Sequence, residues 1–461
     1  MKFRMDDAAP NPKCPGCQAL LKRVVQLERD VKQLKAQLHQ NSSNSSRPPS
    51  SDPPWSKPPG NTPPSERRRG GQPGHEKADR ELLPPDEVQC CKPPICEGCG
   101  AALSGADRSP LQHQVTEIPP ARAKVVEYQL HTLKCRACGR RTRAKLPAGV
   151  PSGSFGPRLQ ATVALLSGAY RISRHNVQQL MSDAFGVDLS LGAISNIEGT
   201  VAETLAEPYQ ATLRAIRRAD VVHSDETSWS EANRSAWLWT ANAEGMSAFR
   251  ICSSRGSDVA KELLGEDFAG IHVSDRWSGY DWIDIDQRQV CWAHLIRDFR
   301  KIAESGGLAE WIGESLEKQA DKLFGYWHRV RAGTMKRSNF RRHAARIRRR
   351  IRVLLEDGAR CIAWRAPSLC RGILKLESAM WTFVKHEGVE PTNNTAERAL
   401  RPAVIWRKTS LGTQSSRGSR FVERLLTCVA TLRQRGRNVL DYLTTANEAA
   451  LRGARIPFFI R

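Results

Sequence analysis

The chain has 461 residues, with 71 Lys and Arg against 48 Asp and Glu, a formal charge of +23. That excess sets aside enzymes of small neutral metabolites and points to a polyanion, either nucleic acid or an anionic membrane. No run of 18 apolar residues occurs, and the polar N-terminus lacks an apolar signal core. A cytoplasmic, nucleoid-associated protein without a membrane partner is expected. Its 13 cysteines are then reduced, and paired ones read as metal ligands before disulfides.

Length suggests about three domains. Leu20, Val24, Leu27, Val31, Leu34 and Leu38 are spaced 4, 3, 4, 3 and 4, a heptad seam predicting a helix over residues 18–40. Val at one seam position and Leu at the other favour a parallel coiled coil, hence a homodimer or higher oligomer. With fewer than three heptads, a single amphipathic helix docked on the body is the competing reading. The preceding Cys14-Pro15-Gly16-Cys17 is a lone CxxC and a weak metal signal. Residues 41–80 repeat Pro-Pro, lack apolar periodicity and read as a disordered linker.

Two CxxCG knuckles follow, Cys96-Glu97-Gly98-Cys99-Gly100 and Cys135-Arg136-Ala137-Cys138-Gly139, separated by 35 residues. Each puts two thiols on a tight turn whose following Gly eases a left-handed conformation. Together Cys96, Cys99, Cys135 and Cys138 predict a structural four-cysteine zinc ribbon over 88–147, with "KVVEYQLHTLKC" as the strand that delivers the second knuckle. Residues 155–206 read as helices. Gly186 as a stop and Ser190 as a cap suggest a helix-turn-helix that presents Ser195, Asn196 and Thr200 to a DNA groove. A plain helical bundle would show the same pattern.

From Ala219 the period becomes that of strands. "ADVVHSDETSW" is an apolar strand ending in Asp225, and "SAWLWTANAE" and "MSAFRICSSR" are two more. After the helix "SDVAKELLGEDF", the strand "GIHVSDRWSGY" ends in Asp275, and "RQVCWAHLIRDFRKI" runs from strand into helix. This order predicts a multidomain α/β chain with a ribonuclease-H-like core formed by residues 215–303 and 386–437. An all-α basic insertion over 304–385 interrupts the core, and a C-terminal helix and tail fill 438–461. In such a core the first and fourth strands are neighbours, so Asp225 and Asp275 face each other.

A later helix contributes Glu397. Locally, Asn394 and Glu397 also fit a capping box, with Asn at the N-cap and Glu bonding back to its amide. Yet Arg398, Arg401, Arg407 and Lys408 follow it, surroundings suited to a phosphodiester backbone. Arg401, four residues on, has a helical salt bridge to Glu397 as its alternative to phosphate contact. Three close carboxylates repel and are tolerable only around divalent cations, which suits Asp225, Asp275 and Glu397 binding Mg²⁺ or Mn²⁺. Glu226 would point to the opposite face and serve structure. His294 is an accessory candidate, and Cys291 beside it resembles half of a zinc site without a second half. Residues 336–352 hold nine Lys and Arg and no acid, which nominates Arg348, Arg349 and Arg350 for DNA-backbone binding.

The stretches "HSDETSW", "SDRWSGY", "VCWAHLIRDF" and "PTNNTAERALRP" resemble signatures of the DDE transposases of the insertion sequence 66 family. The heptads, the "GGQPGH" linker and the CxxCG pair resemble it too, so the likeness covers nearly the whole chain. "DETSW" departs from the usual Asp-Glu-Thr-Pro, and "AVIWRKTSLGTQSSRGSR" from the usual continuation; neither change touches a carboxylate. The resemblance implies DNA transposition catalysed by Asp225, Asp275 and Glu397, transposon-end and target DNA as partners, and accessory proteins of the same element. A ribonuclease-H-like nuclease without strand transfer and a non-catalytic DNA-binding regulator are the alternatives.

Overall fold

The structure is a computed structural model that describes residues 80–460, with a few positions between 18 and 47. Most of the heptad helix, Cys14, Cys17 and nearly all of the linker lie outside the described residues; Val24, Leu27 and Val31 of the seam are helical and exposed.

The first described region is open. Short strands β1 (Thr132–Lys134) and β2 (Arg141–Arg143) form an antiparallel ribbon around the second knuckle. The strand expected over "KVVEYQLHTLKC" shrinks to Thr132–Lys134. Its alternation has no apolar layer to pack on, and Val125 and Val126 remain exposed.

Helix α1 (Pro157–Ala164) passes into a π-helical turn at Leu165–Ala169. Helices α2 (Arg174–Phe185) and α3 (Leu191–Thr204) follow, with Ser173 and Ser190 each accepting an amide at the N-cap. Gly186 ends α2 in the left-handed conformation at φ 64°. Arg174 Nη2 pairs with the buried Glu198 carboxylate at 2.5 Å and locks α2 to α3. After α4 (Ala206–Ile216), the strand region begins.

Strands β3 (Val221–Glu231), β4 (Arg234–Ala243), β5 (Met246–Cys252), β6 (Ile271–Ser274) and β7 (Arg288–Val290) form a sheet in the order β5-β4-β3-β6-β7. The hairpin pairs β3-β4 and β4-β5 are antiparallel, whereas β3-β6 and β6-β7 are parallel. The first and fourth strands of this sheet are therefore adjacent, as the sequence order requires. The β3-β4 turn has positive φ at both Ala232 (50°) and Asn233 (60°), the backbone of a tight hairpin. Ala232 tolerates it while its amide donates to Thr413 O at 2.8 Å.

Period-two alternation splits the sheet between two cores. Leu238 and Phe249 face a core shared with α1–α3, α11 (Asn394–Ser410), α12 (Ser416–Gln434) and α13 (Val439–Leu451). Trp239 and Ala248, one residue out of phase, face α4 and α5 (Ser257–Leu264). A third core joins β6 and β7 to α6 (Trp292–Ala303), α7 (Leu308–Arg331), α8 (Arg337–Arg360), α9 (Ala366–Leu374) and α10 (Thr382–Lys385). Between α6 and α11 the chain is helical without strands.

Candidate active site

Two carboxylates are set by strand register. His223 pairs with Val273 in the parallel β3-β6 ladder. Continuing that register by two residues brings Asp225 level with Asp275 at the edge where β6 stops. Asp225 does not end its own strand, contrary to expectation. The antiparallel pairing with β4 carries β3 on to Glu231, with Asp225 opposite Thr240. Asp225 Oδ1 accepts the Glu226 amide at 2.9 Å and Asp275 Oδ1 accepts that of Trp277 at 3.0 Å, so each carboxylate is oriented by its own backbone.

The third carboxylate is positioned by the approach to α11. The helix starts at Asn394, and its N-cap is Asn393, which makes no side-chain cap bond. Asn394 is thus not the cap and Glu397 sits one place too far along for a capping box; that local explanation fails. Asn393 is 1% exposed and its side chain does something else. Nδ2 donates to Ser224 O at 2.7 Å, Oδ1 lies 3.2 Å from His223 Nδ1, and the backbone amide donates to Cys291 Sγ at 3.2 Å. Trp292 N donates to Pro391 O at 2.9 Å alongside. One residue thereby ties the start of α11 to β3 and to the β7-α6 junction. Glu397, one turn later, is near enough to Asp225 for its charge to act on that carboxyl.

The electrostatics follow from this crowding. Burial first, then the charges of Glu226, Asp275 and Glu397, push the Asp225 carboxyl well above its ordinary range. Glu226 is raised by burial and by Asp275, against Arg255, whose Nη2 pairs with it at 2.7 Å. Tyr280 also donates its hydroxyl to Glu226 at 3.2 Å. Glu226 therefore has the partners of a structural acid, on the strand face away from Asn393. Asp225, Asp275 and Glu397 make an all-oxygen, mutually repelling set, the donor chemistry of a hard divalent cation. In this structure the oxygens of the three do not form a group within 4.8 Å of one another.

A second grouping was missed from sequence. Ligand atoms of Cys291, His294 and Glu397 lie within 4.8 Å of one another, the one such group of three among the described residues. Burial pushes the Cys291 thiol up to about 11, so the sulfur is a poor thiolate ligand. Burial, then Arg297, lowers the His294 imidazole, and its buried Nδ1 has no hydrogen-bond partner among the described residues. His294 thus has a ring nitrogen within 4.8 Å of a Glu397 oxygen.

Arg398, Arg401 and Lys408 line the exposed side of α11. No Arg401–Glu397 ion pair forms, and Arg401 has no acidic partner among the described residues. Arg407 instead donates from Nη1 to Ser228 O at 2.6 Å, fastening α11 to β3. On α8 one expectation is corrected. Arg348 forks onto Glu377 at 2.7 and 2.6 Å, on the face toward the protein. Arg349 and Arg350 lie 100° and 200° further around the helix; like Arg346, they are exposed and have no acidic partner among the described residues. Arg337 and Arg341 cap the carbonyls at the end of α10. On α3, Asn196 and Thr200 are exposed and Ser195 is half-buried.

The two knuckles are alike. Cys96 N bonds Ala101 O and Cys135 N bonds Arg140 O, while Gly100 and Gly139 both take φ 73°. Amides of Cys99 and Gly98 lower the Cys96 thiol, and those of Cys138 and Ala137 lower Cys135, as metal ligation needs. No three of the four sulfurs lie within 4.8 Å of one another in this structure.

Residues 152–420 match the family model described as transposase IS66 family, and residues 93–139 match the zinc-finger binding domain of transposase IS66. Residues 11–81 match a family of unknown function. The chain is similar to two proteins of Sinorhizobium fredii (strain NBRC 101917 / NGR234). One is uncharacterized protein y4qI, 25% identical over 409 residues, covering 82% of this chain and 73% of that protein. The other is uncharacterized protein y4hP, 25% identical over 398 residues, covering 76% and 70%. Among the described residues, no helix is long and apolar enough to cross a membrane.

Proposed function

The chain belongs to the IS66 family of transposases, and on that premise we propose that it cleaves DNA at the ends of an insertion sequence and joins the 3′-hydroxyl to target DNA. The observation that supports this reading best is a strand order like that of a ribonuclease-H-like core, which makes the strands leading to Asp225 and Asp275 neighbours, with Asp275 and Glu397 both near enough to raise the Asp225 carboxyl. Asp225, Asp275 and Glu397 would hold Mg²⁺ or Mn²⁺. Such ions, when bound, acidify the attacking water or 3′-hydroxyl and stabilise the leaving oxygen.

The chain's own groups do the rest. Asn393 holds Glu397 against the strands, and His294 positions Glu397 from its other side. Arg398, Arg401 and Lys408 neutralise the phosphates flanking the cleaved bond, and Arg346, Arg349 and Arg350 extend that binding along α8. Helices α2 and α3 act as a helix-turn-helix in which Asn196 and Ser195 read bases. A structural Zn²⁺ is held by Cys96, Cys99, Cys135 and Cys138. No enzyme nucleophile is required, since water and the 3′-hydroxyl attack phosphorus in line.

The test is cleavage and strand transfer on the DNA that flanks its own gene. Asp225→Asn, Asp275→Asn and Glu397→Gln should each abolish Mg²⁺-dependent cleavage while end binding persists. Wild-type cleavage in any one removes that residue from the triad. Cleavage without joining in the wild type would make the protein a nuclease.

A further inference from the structure

The loop joining α8 to α9 takes no part in that chemistry. Ile362 is 106% exposed and Trp364 is 80% exposed, extreme values for large apolar side chains. Single exposed hydrophobics are ordinary, but two within three residues on one tight loop are not. The loop is held rather than slack. Arg371 Nη1 donates to Ala359 O at 3.0 Å across its base, and Cys361 Sγ bonds Gly358 O at 3.1 Å. Arg365 takes φ 84°, a strained value for a residue with a side chain, and its guanidinium lies 4.3 Å from the Trp364 ring centroid.

Charge indicates what this tip meets. Residues 358–376 hold Arg360, Arg365, Arg371 and Lys375 and no acid. The loop also follows directly on the helix that carries the exposed Arg346, Arg349 and Arg350. Helix α9, which follows the loop, approaches the side chain next to Asp275. A Cβ on Gly372 would lie 3.5 Å from Nη1 of Arg276, the residue after Asp275. Gly372 lies six residues, about 9 Å, along α9 from its start at Ala366, and the Arg276 guanidinium itself pairs with Asp298 at 2.6 Å. An exposed aromatic ring with an arginine against it, on an acid-free stretch, suits DNA whose bases are unstacked.

Building on the proposed transposase reading, we infer that Trp364 stacks on an unpaired base of the bound DNA. Ile362 wedges against the neighbouring base step, and Arg360 and Arg365 contact the adjoining phosphates. Base–aromatic stacking tolerates any base, so the loop selects distorted DNA rather than sequence.

The experiment uses the full chain with Asp225→Asn, which keeps DNA uncut. Affinity is measured for the gene-flanking end as a full duplex and as the same duplex with two or three unpaired bases at the cleavage point. The expected result is preference for the unpaired form. Adding Trp364→Ala should remove about tenfold of that preference and leave full-duplex affinity intact, while Trp364→Phe keeps most of it. Equal preference with and without Trp364 overturns the inference and leaves the proposed function standing. No binding to either DNA overturns both. A Trp364→Ala change in oligomeric mass without a change in DNA preference would assign the loop to contact between copies and likewise overturn it.

Discussion

Asn393 donates from Nδ2 to the carbonyl of Ser224 at 2.7 Å across 169 residues of sequence, and this bond sets Glu397 beside Asp225. Asn393→Ala would leave the Ser224 carbonyl unpaired and free α11 to shift at its start. An unsatisfied buried acceptor costs about 1–3 kcal/mol, and misplacing a catalytic group by an ångström costs about 10²-fold in rate. The expected outcome is a folded variant with wild-type DNA affinity and a cleavage rate lower by about that factor. Circular dichroism and single-turnover cleavage measured together decide it; an unchanged rate in folded protein refutes the role.

The arginines of α8 should divide in two. Arg346, Arg349 and Arg350 replaced by Gln should lower the salt slope of log K by about three units, roughly one for each phosphate left without its arginine. Arg348→Gln should leave the slope unchanged and instead lower the melting temperature, because Glu377 loses its fork at 2.7 and 2.6 Å. Salt titrations by fluorescence anisotropy separate the two. A slope change in Arg348→Gln equal to that of Arg349→Gln would contradict the assignment.

Glu423 should make stability depend on pH. Its carboxylate accepts the Ile251 amide at 2.6 Å, and burial raises it from 4.5 to about 7. The folded protein therefore keeps this proton at a pH where the unfolded chain has released it. The stability involved is fully present below the unfolded value and is lost as pH rises through the folded one. Glu423→Gln, whose amide oxygen can accept the same bond, should match wild type near pH 4.5 and exceed it at pH 8 by about 3 kcal/mol at most. Denaturant melts at the two pH values check the sign; a variant less stable at pH 8 excludes it.

For the knuckles, purified full chain should contain about one Zn²⁺ per molecule. Cys135→Ser with Cys138→Ser should lose it, and chelation should loosen residues 88–147 to protease while the sheet domain stays resistant. Elemental analysis showing undiminished zinc in the double variant would remove those cysteines as ligands.

Local pattern was enough to locate most of this. Alternating apolar residues marked β3 to β7, and an acid next to an apolar run singled out Asp225 and Asp275. The repeated CxxCG spacing identified both knuckles, and Gly186 and Ser190 marked a helix end and a helix start that the structure contains. These signals have periods of two to four residues, and the sequence displays them directly.

Other features depended on partners distant in sequence. β3 runs past Asp225 because the β4 hairpin pairs with it independently of β6. Asn393 rather than Asn394 holds the N-cap place of α11, and its polar atoms go to Ser224, His223 and Cys291 instead of capping the helix. Arg348 and Arg349 are neighbours of one residue type, yet 100° of helical rotation gives the first to Glu377 and the second to solvent. A run of like charge has no periodicity that says which members face the protein. Only the packing of α8 against the rest of its core decides that, because packing settles which side of the helix is buried.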